Sequence, residues 1–159
     1  MHSRAAELLK TLDMRPHPEG GHYVELFRSS QRVRQVVRNV ERAAITSIYF
    51  LLASGEHSRW HRVQSDEIWH YHEGDAIELL LFDDRGLRRL RLGPVARETQ
   101  PSIVVPAGTW QAARTTGAYT LVGCTVGPGF EFTDFTLLAD APDASARFRA
   151  HHPDLADLI

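Results

Sequence analysis

Between Gly55 and Gly74 the chain reads GEHSRWHRVQSDEIWHYHEG, which gathers His57, His61, Asp66, Glu67, His70 and His72 among Trp60, Trp69 and Tyr71. Neutral imidazole and carboxylate are the side chains that ligate metals and that exchange protons near neutral pH, so this density marks a site of acid–base or metal chemistry. On strands, alternate residues share a face, which groups Arg59 and His61 with Val63 and, on the next strand, Glu67 with Trp69 and Tyr71. His70 and His72 then face the other side unless a bulge re-aims them. Downstream, Gln111 adds an amide, a weak donor for a transition metal and a group that needs hydrogen-bond partners if buried. Aromatic walls for a flat or ring-shaped ligand could come from Tyr23, Trp69, Tyr71 and Trp110, although aromatics at period-two spacing also serve as plain barrel core. Glu25 shares a face with Tyr23; with Arg28 it forms either an ordinary surface pair or part of a pocket mouth.

Several chemistries have no matching residues. There is no phosphate loop, dinucleotide fingerprint, nucleophile elbow or cysteine–histidine pair. The single cysteine, Cys124, lies in an apolar run where an inert buried thiol is expected. One cysteine allows no intrachain disulfide, which with the charged N-terminal segment gives the expectation of a cytoplasmic protein. A net charge of −2 offers no field for nucleic acid, and the apolar stretch from Ile45 to Ala53 is too short to cross a bilayer.

The elements that must position these residues are mostly strands. In 159 residues, 43% apolar and 24% charged, one domain with one core is expected. Residues 1–15 read as a helical clasp, with Ser3 as its cap, Leu8, Leu9 and Leu12 on one face, and Pro16 and Pro18 ending it. From 20 to 140, short Val, Ile, Leu, Tyr and Phe runs broken by Gly, Pro and Asp give ten expected strands: His22–Arg28, Ala44–Leu52, Ser58–Val63, Glu67–Glu73, Ala76–Phe82, Leu87–Leu92, Ser102–Val105, Gln111–Thr115, Thr120–Val126 and Thr133–Leu138. Asp83, Asp84, Arg85 and Gly86 make the tight turn of a hairpin. Residues 31–42 are either an edge strand or a mobile loop over the barrel mouth, and 141–159 form a helical tail, with its helix at Ala144–Ala150.

The sequence resembles the cupin superfamily. Gly55, His61, Glu67 and Gly74 fall at the spacings of its first motif, with Val63 where a second histidine would stand. Pro106 and Gly108 match its second motif, with Gln111 in place of the third histidine. The stretches HPEGGHYVELFRS, TSIYFLL, HRVQSDEIWHYHEG, VPAGTWQAA and GCTVGPGFEFTDF extend the resemblance to one family of small bacterial and fungal cupins. The resemblance implies an all-β double-stranded β-helix, or jelly roll, paired as a homodimer. In the cupin register both strand faces named above line an interior pocket, so ligand-binding candidates are Tyr23, Glu25, Arg59, Trp69, Tyr71, Trp110 and Gln111. His61 and Glu67 are the catalytic candidates, with His61 as general base and Glu67 orienting or relaying. By analogy with cupin sugar-nucleotide epimerases, this implies an isomerase or epimerase on a carbohydrate-like metabolite. The alternatives are a non-catalytic metabolite binder, or a metal-dependent cupin in which His70, His72 or water replaces missing ligands. No cofactor is expected; a weakly held divalent metal, if any, would sit on His61, Glu67 and Gln111.

Overall fold

A computed structural model describes residues 1–159. After helix α1 (Ser3–Thr11), the strands are β1 (Arg15–Pro16), β2 (His22–Arg28), β3 (Arg32–Gln35), β4 (Val40–Ala43), β5 (Thr46–Ala53), β6 (His57–Val63), β7 (Asp66–Gly74), β8 (Ile77–Asp83), β9 (Gly86–Leu92), β10 (Ser102–Val105), β11 (Trp110–Thr115), β12 (Tyr119–Gly127) and β13 (Phe135–Leu137). Helix α2 (Pro142–His151) and a 3-10 turn over Pro153–Leu158 close the chain. The ladders are antiparallel and form two facing sheets, ordered β1-β2-β5-β12-β7-β10 and β13-β6-β11-β8-β9. This is the expected all-β jelly roll with short terminal helices.

Each sheet is apolar on both faces, which the terminal helices explain. Outside the first sheet, Ala5 and Leu8 of α1 cover Leu51, Ala53, Tyr119 and Leu121. Outside the second, Phe148 of α2 and Leu155 and Leu158 of the tail cover Trp60, Leu80, Trp110 and Ala112. Removing the fully buried Phe148 ring would cost about 3–5 kcal/mol. Between the sheets, Ile77, Leu79, Leu81, Leu92, Ile103 and Val105 fill one end of the barrel. The other end is left open by polar and aromatic side chains.

Two details of the N-terminal clasp differ from expectation. The α1 cap is His2, whose Nδ1 accepts from Arg4 N, so Ser3 is already helical. The helix stops at Thr11, where the left-handed Asp13 (φ 53°) turns the chain, and Pro16 lies in β1. Residues 31–42 contain neither a single edge strand nor a plain loop. Strands β3 and β4 form a separate two-stranded hairpin, tied down by Arg38 and Arg42 on Asp134.

Candidate functional site

The open end of the barrel holds a cavity of about 240 Å³, slightly below the ~300–1,000 Å³ of most ligand pockets, which suits a small metabolite. Tyr23, Phe50, Trp69 and Cys124 belong both to its wall and to the apolar core. His61 and Glu67 line it from opposite sheets and are 2% and 7% exposed.

The carboxyl within ion-pair distance of the His61 ring is Glu19, not Glu67, although the Glu67 charge also favours a protonated His61. His61 Nδ1 lies 2.7 Å from the Arg59 carbonyl, which can only accept, so Nδ1 carries the hydrogen. Its Nε2 faces Glu19 Oε2 at 3.3 Å. The same oxygen lies 3.3 Å from His17 Nδ1, and Ser58 Oγ donates to Glu19 Oε1 at 2.7 Å. Glu19 reaches this position because its loop is laid onto β6: Arg59 N donates to Glu19 O, and Gly20 (φ 110°) passes so close that a Cβ would stand 2.2 Å from His57 O. A side chain at position 20 would push the loop away and withdraw the carboxyl.

Glu67 is held separately. The Trp69 indole can only donate, and it does so to Gln111 Oε1 at 3.0 Å; this fixes the amide so that Gln111 Nε2 donates to Glu67 Oε2 at 2.6 Å. The Cys124 thiol is a further polar neighbour of the Glu67 carboxyl.

The Arg59 charge favours ionised Glu19, but at both carboxyls the dominant influence is burial. It pushes Glu19 and Glu67 above the ordinary glutamate range, overcoming the lowering influence of the neighbouring imidazoles. It likewise holds His17 and His61 below the ordinary histidine range, and raises the Cys124 thiol well above its usual value. Burial at the cavity floor therefore disfavours the charged form of each of these groups.

Four sequence expectations are corrected. Arg59 does not enter the cavity: β6 is bulged, Gln111 pairing with His61 but Ala113 with Ser58, so Ser58 and His61 both face inward. The Arg59 guanidinium instead reaches the Pro18 carbonyl outside. Trp110 neighbours Gln111 on one strand and so takes the opposite face, under α2, with Arg62 4.6 Å over its ring. Tyr71 packs at the filled end of the barrel and donates its hydroxyl to Gly74 O. Gln111 does not line the cavity but holds Glu67 from behind. Tyr23, Glu25 and Trp69 do line it. His70 and His72 face away, His70 on Ser102 and His72 on Tyr49 and Gly123.

The donor set does not fit a metal ion. Val63 has no donor, Gln111 has both ends of its amide engaged, and no three His, Cys, Asp or Glu side chains converge as ligands. Sequence reasoning missed Glu19 and His17, whose only signal was their place in HPEGG, and the mouth residues Arg15, Phe130, Glu131 and Phe132. No helix of the chain is long and apolar enough to cross a membrane.

Comparison with solved structures places this architecture among known ones. A hypothetical protein from Leishmania major is 32% identical, with a TM-score of 0.84 over 98% of this chain and 96% of that one. A protein from Shewanella oneidensis is also 32% identical, with a TM-score of 0.80 over 97% and 95% of the two chains. Oxalate decarboxylase from Bacillus subtilis, at 14% identity and a TM-score of 0.61 over 92% of this chain and 37% of that one, shares the fold alone. Comparison with functionally curated proteins gave no match. The sequence profile described as Cupin superfamily (DUF985) matches residues 6–138, and the chain belongs to that family.

Proposed function

We propose that this cupin is a small-molecule enzyme that works by metal-independent acid–base chemistry, isomerising or epimerising a carbohydrate-like metabolite. The observation that carries the reading is the buried contact of Glu19 Oε2 with His61 Nε2 at the cavity floor. With Nδ1–H committed to Arg59 O, Nε2 is the basic nitrogen, and it faces the Glu19 carboxyl. Glu67, with one oxygen capped by Gln111, supplies a second proton-transfer group on the opposite wall. In such a reaction one group takes a proton from the carbon beside a carbonyl while the other protonates the carbonyl oxygen. The C–H electron pair becomes the C=C bond of an enediol, and return of the protons to the neighbouring carbon, or to the opposite face, gives the product.

One observation favours a non-catalytic binder instead: both Glu19 oxygens already have protein partners, as in a passive wall. The test is to identify small molecules released from gently purified protein by mass spectrometry, confirm binding by thermal shift, and incubate the ligand with enzyme in D₂O. Deuterium entering carbon, and lost on His61→Asn, is expected. An unchanged, unlabelled ligand that still stabilises the fold would establish the binder. We further propose a homodimer, supported by Ile68 and Val104, which stay 36% and 57% exposed on the first sheet. A monomer in light scattering at micromolar concentration would remove that claim.

A further inference from the structure

Two guanidinium groups line the cavity mouth, and they are in different states. Arg28 is spent: it forks onto both oxygens of Glu25 at 3.1 and 2.8 Å, and its third nitrogen reaches Phe130 O at 3.1 Å and Glu131 Oε1 at 2.9 Å. It ties β2 to the loop after β12 and has little left for a ligand. Arg15 is placed by pairing with Tyr23 in the β1–β2 ladder, and its guanidinium lies 5.0 Å from the centre of the Tyr23 ring. It makes no hydrogen bond and no ion pair within the chain, and both it and Tyr23 line the cavity. The carboxylates at the mouth, Glu25 and Glu131, are both taken by Arg28.

Resting on the acid–base reading of this site, we infer that the metabolite is a small organic anion, a carboxylate or a phosphate monoester, whose charged end is held by Arg15. A guanidinium braced on an aromatic face presents a planar fork of donors that matches two anionic oxygens. The cavity size admits one such molecule, its anionic end at the mouth and its uncharged part among Phe50, Trp69 and the His61–Glu19 floor. At the floor, burial disfavours negative charge on Glu19 and Glu67.

The test compares matched probes on the full-length protein by calorimetry: D-gluconate for the carboxylate, D-glucose 6-phosphate for the phosphate, and D-glucose as the neutral counterpart. At least one charged probe should bind ten-fold or more tightly than glucose. Arg15→Ala should erase that preference without moving the melting temperature, and Arg15→Lys, which keeps the charge but not the fork, should retain part of it. Which charged probe wins identifies the anion. Equal binding of charged and neutral probes, no binding of either charged probe, or a preference that survives Arg15→Ala would overturn the inference. None of those results touches the acid–base reading, which fails separately if His61→Asn leaves deuterium exchange intact.

Discussion

Asp134, at the end of a 3-10 turn (Phe132–Asp134), and Glu19, in the loop before β2, are both buried carboxyl groups, and their surroundings drive them in opposite directions. Asp134 is 2% exposed and receives three charge-assisted bonds, from Arg42 Nε and Nη2 and Arg38 Nη2, at 2.7–2.9 Å. The bonds from Arg42, aided by Arg38, lower its pKa to about 2 against the cost of burial. Glu19 meets imidazoles and a hydroxyl, and burial wins, raising its pKa. A carboxyl held permanently charged fastens one part of the chain to another; one held near neutrality can give up and recover a proton. The first anchors the β3–β4 hairpin, and the second forms the floor of the cavity.

The contrast can be broken at either side. Asp134→Asn should have the largest effect, a loss of about 3 kcal/mol at pH 7, because two arginines lose their shared partner. Since the folded pKa lies below the ordinary 3.8, that stability is present above about pH 4 and disappears as pH falls through about 2. Urea unfolding of both proteins at pH 7 and pH 2 checks this; equal stability at pH 7 would mean that the hairpin does not need its anchor. Gln111→Ala should cost about 2 kcal/mol, by orphaning the Trp69 indole and uncapping Glu67, and should also weaken ligand binding. Unchanged affinity would show that Glu67 needs no positioning.

Glu19→Gln should stay within about 1 kcal/mol of the parent at pH 7, since the amide can keep the Ser58 contact and donate to His61 Nε2. The sign follows from the raised pKa: the Glu19 contribution is present below the ordinary 4.5 and is lost as pH rises through the folded value, so the parent should lose ground to the variant with rising pH. A variant that instead falls further behind as pH rises would place an ionised, well-paired carboxylate at the cavity floor. The smallest expected signal is elemental: protein from a metal-replete host should carry well under one equivalent of transition metal. Stoichiometric metal that survives dialysis and vanishes in His61→Ala would require donors to rearrange.

The strands, the jelly roll and the inward placing of His61 and Glu67 were legible because period-two patterning and the motif spacings carry them. The departures trace to features that alternation does not encode. A one-residue bulge in β6 turned Arg59 out and Ser58 in, and Tyr71 lies too far along its strand to reach the open end. Trp110 is different: alternation with Gln111 already placed the two on opposite faces, so that signal was present in the sequence. Glu19 lies in a loop and Asp134 in a single 3-10 turn, far in sequence from His61 and from Arg38 and Arg42. Only the folded path of the loops brings them into contact.

The central claim is that His61 and Glu19 share one proton at the cavity floor as a neutral pair. Nuclear magnetic resonance of protein carrying ¹⁵N-histidine and ¹³C-glutamate, titrated from pH 4 to pH 9, reads both groups at once. The account predicts a His61 ring that stays neutral well below pH 6.5, protonated at Nδ1, together with a Glu19 carboxyl that ionises clearly above the ordinary glutamate range. A His61 imidazolium persisting at pH 7 beside a Glu19 carboxylate that titrates at or below 4.5 would contradict it.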